Sequence, residues 1–257
     1  MTWKIEYTKT KDNIYVGGYS STDAYCRMYF SSRVSSKIAE SDGTEHLKAH
    51  LTEMLNTGFD TSTLLLQVSE SPQIKDWEVG EAFAEVVLED EHEVMFPWET
   101  GWDKRSSKAS LPGPDILGLQ SKKKPRFVFG QVKSSSEKHV PPQVVNSGRD
   151  CLREQMRQLC HSFADRQQLL EWLLLRMKGT EWEPVFNEAL RRYANKDYWL
   201  SGILVSGGRS ANEKDLSSIC VGIGHEADDG EISLLAYYLP FERSEWPKLL
   251  TDRKETL

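Results

Sequence analysis

No run of about eighteen consecutive apolar residues occurs in this chain, so no membrane-spanning helix is expected. The opening MTWKIEYTKTKDN lacks the apolar core of a secretory signal, which makes a cytoplasmic location the expectation. Cysteine is scarce. Cys26, Cys151, Cys160 and Cys220 form no CxxC pair and no repeated metal-ligand spacing, which argues against a structural zinc site and against a dense disulfide framework. Cys160 adjoins His161, but sequence neighbours point to opposite sides of a helix, so the pair reads as structural. His46 and His50 share helical spacing without the glutamate of an HExxH motif, and SGGRS at 206–210 lacks the GK[ST] ending of a phosphate loop. Trp98, Trp102, Trp172, Trp182, Trp199 and Trp246 show no regular interleaving of the kind a base-stacking platform needs and read as core anchors.

What the chain does have is 257 residues with 39% hydrophobic content, enough for one large globular domain or two small ones. The formal charge is -7, which alone does not suggest a nucleic-acid partner. Its distribution is uneven: from Gly101 to Lys138 nine basic residues face Asp103, Asp115 and Glu137, a local +6 that leaves -13 for the remainder. One basic zone is therefore set in an acidic body.

Short β-rich pieces (IEYTKT, NIYVGG, AYCRMYF) open the chain, a helix follows Thr44, and TLLLQV reads as a short buried strand. From Ile74 to about Asp90 the sequence IKDWEVGEAFAEVVLED predicts a helix, apolar along Trp77, Gly80, Ala84 and Val87 and acidic along Glu78, Glu81, Glu85 and Glu89. PDILGL and RFVFGQVK are strand candidates joined by QSKKKP, whose charges and proline suit a hairpin connection. Residues 143–177 are helical in composition with a break near Ser162 to Asp165, and EPVFNEALRRYAN continues the helical run. YWLSGILVSG, SSICVGIG and EISLLAYYLP are the final strand candidates.

In a strand, side chains two apart share a face, so Gln131 and Lys133 project together while Val132 turns away. The hairpin folds Asp115, at the start of its strand, toward this pair. Such a group suits phosphodiester hydrolysis assisted by Mg²⁺ or Mn²⁺. Asp115 offers an anionic ligand, the Gln131 side-chain carbonyl and the Val132 backbone carbonyl offer neutral oxygens, and the Lys133 ammonium can orient the nucleophile or stabilise the transition state. A second carboxylate is expected from Glu81 or Glu85, one turn apart on the helix, with Glu99 a weaker substitute. Lys122, Lys123, Lys124 and Arg126 at the turn are candidates for contact with a DNA backbone, against the simpler role of keeping the turn soluble.

A helix with glutamates, then PD opening a strand, then a strand ending in QVK, then a helix: this order resembles the PD-(D/E)xK nuclease superfamily, also called restriction-endonuclease-like, over roughly Ile74 to Gln158. Gln131 stands where that family usually has an acid, which is similar to the QxK variant of Mrr-like nucleases. The helix containing GEAFAEVVLE, followed by this core and terminal strands, is similar to the nuclease subunit of Hachiman-type antiphage systems, which is paired with a helicase. The resemblance implies an α/β fold with a restriction-endonuclease-like core, a central mixed sheet flanked by helices, with residues 1–70 as a β-rich elaboration and 71–257 as the nuclease-like domain, packed as one unit. It implies DNA as substrate, Mg²⁺ or Mn²⁺ as cofactor and a helicase or translocase as partner. The alternative is a catalytically inactive nucleic-acid-binding or regulatory subunit that keeps the fold.

Overall fold

The computed structural model describes residues 3–40, 43–58, 60–68, 74–97, 113–120, 123–223 and 230–251. The protein is α/β. Its seven strands are β1 (Lys4–Lys11), β2 (Ile14–Ser20), β3 (Val94–Met95), β4 (Ile116–Gln120), β5 (Arg126–Ser135), β6 (Trp199–Gly207) and β7 (Glu231–Leu239), and they form one mixed sheet in the order β1-β2-β7-β6-β5-β4-β3. β2, β7, β6 and β5 run parallel, whereas β1 at one edge and β4 and β3 at the other are antiparallel to their neighbours. Parallel strands need long crossovers and are buried on both faces, which is why all nine residues of β6 are buried although its sequence shows little alternation.

Helices cover both faces. On one face α5 (Asp76–His92) packs with α1 (Asp23–Tyr29), the π-helical turn Phe30–Val34, α2 (Ser35–Glu40) and α11 (Trp246–Leu249). Val79, Phe83 and Val87 of α5 meet Val128, Val132, Ile203 and Leu235 of the sheet there. On the other face α6 (Gln143–Asn146), α7 (Leu152–His161), α8 (Phe163–Met177), α9 (Glu183–Ala194) and α10 (Ser217–Ile223) bring Leu152, Met156, Phe186 and Ile219 against Phe127, Phe129, Leu204 and Leu234. The alternation along β5 decides this: Phe127 and Phe129 enter the second layer, Val128 and Val132 the first. Each such buried apolar side chain contributes about 1.5–3 kcal/mol.

The helices expected after Thr44, from Ile74 and over 183–194 all form, as α3 (Gly43–Asn56), α5 and α9. The break expected near Ser162 is present, where Ser162 ends α7 and its Oγ accepts from the Asp165 N–H to start α8. The PDILGL and RFVFGQVK strands form an antiparallel hairpin.

Three expected strands are helices instead. AYCRMYF lies largely in α1, TLLLQV in α4 (Ser62–Val68), and SSICVGIG in α10. A short apolar run fits either period, and what decides is where its residues can be buried. In α1, Tyr25 and Tyr29 lie four apart and both meet the edge of Trp3. In α4, Leu64 and Leu66 are 50% and 73% exposed, so this segment is not a buried strand of the sheet. Leu216, just before α10, and Ile219 and Ile223 within it return at helical spacing to the core. Residues 1–70 are accordingly not a β-rich elaboration beyond Ser20. The β1–β2 hairpin they do contribute pairs through β7 into the same sheet as the remainder.

Gly80 lets α5 approach β5. A Cβ there would stand 2.0 Å from Ser134 Oγ and 3.3 Å from the Trp246 ring. Gly80→Val is expected to lower unfolding free energy by about 1–3 kcal/mol through overpacking, readable in urea denaturation, whereas an unchanged midpoint would mean that α5 shifts without cost.

Candidate active site

The β4–β5 ladder begins at Ile116 opposite Gly130, so Asp115, one step earlier, stands beside Gln131. The Val132 N–H donates to Asp115 Oδ2 at 2.8 Å, which fixes the carboxylate against the strand. Burial pushes the Asp115 carboxyl above its ordinary value, opposed by that hydrogen bond and by the charge of Lys133. Lys133 lies on β5 and Asp115 just before β4, close enough for the ammonium to favour the ionised carboxylate.

Gln131 is 5% exposed, and its Oε1 is buried with no hydrogen-bond partner among the described residues. Leaving such an acceptor unsatisfied costs about 1–3 kcal/mol. By strand alternation Gln131 and Lys133 share the face of Phe127 and Phe129, with Lys133 half-buried. The expected trio of Asp115, Gln131 and Lys133 is thus brought together. Of Val132, the backbone N–H is the group that meets Asp115, and its side chain lies in the opposite layer.

The helix carboxylates sit differently. α5 packs on the face of Val128 and Val132, across the sheet from Gln131. Glu85 Oε2 lies 3.4 Å from Lys37 Nζ on α2, and the same ammonium donates to Glu89 at 2.6 Å. Glu81 is half-buried one turn earlier on α5. Among the described residues, no group of three or more His, Cys, Asp or Glu side chains is clustered so as to hold a metal ion. Glu99 lies outside the described residues.

The basic turn is not at this site. Gln131 is five residues from Arg126 along β5, about 17 Å of extended strand, so Lys123 and Lys124, exposed in the turn, lie at the far end of the hairpin. Arg126 is engaged there: it lies 2.6 Å from Glu231 and 3.8 Å from Asp197, and its Nε donates to Gln120 Oε1. Lys122, like Lys104, Arg105 and Lys108, lies outside the described residues.

Two ties around the strand end escaped the sequence reading. Arg243 Nε donates to Asp76 Oδ2 at 2.6 Å and its Nη1 to the Ser134 carbonyl at 2.9 Å, joining the start of α5 to β5. Arg209, from the turn read as SGGRS, donates to both oxygens of Asp215 and to the carbonyls of Glu137 and His139, holding the loop that follows QVK. The partners are 167 residues apart in the first case and about 70 in the loop contacts of the second, and no local pattern announces them.

All four cysteines are free thiols, and no helix among the described residues is long and apolar enough to cross a membrane. No family model and no curated protein matches the chain.

Proposed function

We propose that this chain is a Mg²⁺- or Mn²⁺-dependent nuclease that hydrolyses phosphodiester bonds in DNA. The observation that carries the reading is the buried, unpartnered Gln131 Oε1 beside the Asp115 carboxylate, with Lys133 two residues on and on the same face. An orphaned carbonyl oxygen next to an oriented carboxylate is a donor set that suits a hard cation. When bound, that cation supplies charge neutralisation at the phosphoryl oxygens and a water acidic enough to act near neutral pH.

The chain's own groups divide the rest. Asp115, oriented by the Val132 N–H, and Gln131 would hold the cation, whereas α5, which carries Glu81 and Glu85, packs on the opposite face of the sheet. The Lys133 ammonium opposes the upward push of burial on the Asp115 carboxyl and would donate to oxygen where negative charge develops. The order of the resemblance, a helix with glutamates, a strand opened by PD, a strand ending in QVK and a helix, is kept by α5, β4, β5 and α6, with α7, α8 and α9 following before β6. The acidic remainder of the chain favours delivery to DNA by a helicase or translocase, since a net charge of -7 opposes unaided encounter.

The neutral Gln131 favours a second reading, a non-catalytic nucleic-acid-binding or regulatory subunit with the same fold. Titration calorimetry with Mn²⁺ separates the two. Binding should be lost in Asp115→Asn, and reduced less by Glu81→Ala or Glu85→Ala alone. Unchanged affinity in Asp115→Asn would remove the nuclease reading.

A further inference from the structure

We propose that the outer face of α7 is the surface on which this chain holds the phosphate backbone of DNA, through Arg153, Arg157 and, in the turn before the helix, Arg149. The proposal rests on the nuclease reading for its substrate. Its geometry is independent of that reading.

Arg153 and Arg157 are four apart on α7 and therefore project from adjacent turns of one side, about 6 Å apart along the axis. With Arg149, Glu154, Gln158 and His161 they line an open cleft of about 750 Å³. Arg149 and Arg157 are exposed and Arg153 is half-buried. The acid of the cleft is Glu154, whose two oxygens accept from Arg153 Nε at 3.3 Å and from Arg157 Nε at 3.0 Å. Those bonds take only the Nε of each guanidinium, and among the described residues the Nη donors of both arginines have no acceptor. Arg149 likewise has none. Asp150, in the same turn, does not line the cleft. Exposed ion pairs of this kind are weak and screened by salt, so phosphate oxygens can compete for the forks that Glu154 orients.

The cleft is also in register with the candidate site. Met156, between the two arginines, packs on β6 at Gly202, where a Cβ would meet its Cγ at 3.1 Å. Gly202 is the ladder partner of Gln131. A DNA strand lying along the outer face of α7 would thus run at the level of Gln131, with α7 between it and the sheet face that Gln131 and Lys133 share. The β4–β5 turn, at the far end of the hairpin, lacks this relation. Guanidinium forks repeated along one helix suit a nucleic-acid backbone, whose phosphates recur regularly along the strand, and binding to an acidic polypeptide is the competing outcome of the test.

The test is fluorescence anisotropy of the full chain with a short labelled duplex in EDTA at low salt, repeated over a salt series. Arg149→Gln, Arg153→Gln and Arg157→Gln combined should weaken binding about tenfold or more and flatten the salt slope by about two to three. Lys123→Gln with Lys124→Gln should leave both within about twofold. Glu154→Gln should tighten binding, a change that mere loss of helix stability would not produce, and circular dichroism checks that each variant is folded. Parent-like affinity in the triple variant, or a loss confined to the turn variant, would overturn the proposal, as would tighter binding by the parent to RNA of the same sequence or to polyglutamate. Cleavage with Mn²⁺ at saturating duplex is measured alongside. A parent that cleaves while the triple variant binds normally leaves the nuclease reading standing without this surface. A parent that never cleaves while the triple variant loses binding leaves the surface standing without the nuclease.

Discussion

Lys133→Ala should lower metal-dependent DNA cleavage at least about 100-fold, as expected when a charged donor aimed at developing negative charge is removed. The fold should persist, because Lys133 is half-buried on a strand whose neighbours Val132 and Ser134 supply the packing. The substitution acts in a second way. Burial already pushes the Asp115 carboxyl up, and the Lys133 charge opposes that push, so removing the ammonium raises it further and weakens cation binding toward acid pH. The sign is testable: the variant's Mn²⁺ affinity should recover as pH rises, while its cleavage at saturating Mn²⁺ should not. Lys133→Arg should keep the first property and only part of the second. Cleavage by Lys133→Ala equal to that of the parent, at saturating metal, would eliminate Lys133 from the chemistry and with it the proposed site.

Asp215→Ala is expected to cost about 3–5 kcal/mol of stability, the range for breaking a buried ion pair from one side. The Asp215 side chain is 0% exposed and that of Arg209 is 7% exposed, and the two are joined by hydrogen bonds of 2.9 and 3.0 Å. Tyr238 Oη also donates to Asp215 at 2.9 Å and is itself 3.0 Å from Tyr7 Oη, so the carboxylate links the loop after β6, strand β7 and edge strand β1. Truncation strands a guanidinium in the interior and leaves two hydroxyls to rearrange. Replacing both partners by apolar residues, Asp215→Leu with Arg209→Met, should recover much of the loss, because no uncompensated charge remains. Urea denaturation of the two single variants and the double variant measures the difference. A cost below about 1 kcal/mol for Asp215→Ala would mean that water reaches the pair.

The legible part of this protein is the part with a strong local period or strong local chemistry. α5 was readable because Trp77, Gly80, Ala84 and Val87 recur at helical spacing within its seventeen residues, and the β4–β5 hairpin because two apolar runs flank a charged, proline-bearing turn. The convergence of Asp115, Gln131 and Lys133 follows from that hairpin and the two-residue strand period, so it too was readable. α1, α4 and α10 were not, since seven residues fit either period and only the available burial distinguishes them. Arg126 shows the same limit among charges. Its place in a basic zone suggested DNA, yet Glu231, more than a hundred positions away, takes it up once β6 and β7 have brought their ends beside β5.

By itself the sequence determined the α/β class, the antiparallel hairpin and the group of residues that share one strand face, because these depend on contacts within about twenty residues. Tertiary structure alone decided that β1 and β2 join the same sheet, that α5 lies across that sheet from Gln131, that Lys123 and Lys124 are remote from Asp115, and that α7 packs through Met156 on Gly202, the ladder partner of Gln131. Those outcomes depend on the order in which parallel strands are laid side by side. That order is set by the burial of two apolar layers over the whole chain, and no stretch of residues carries it locally.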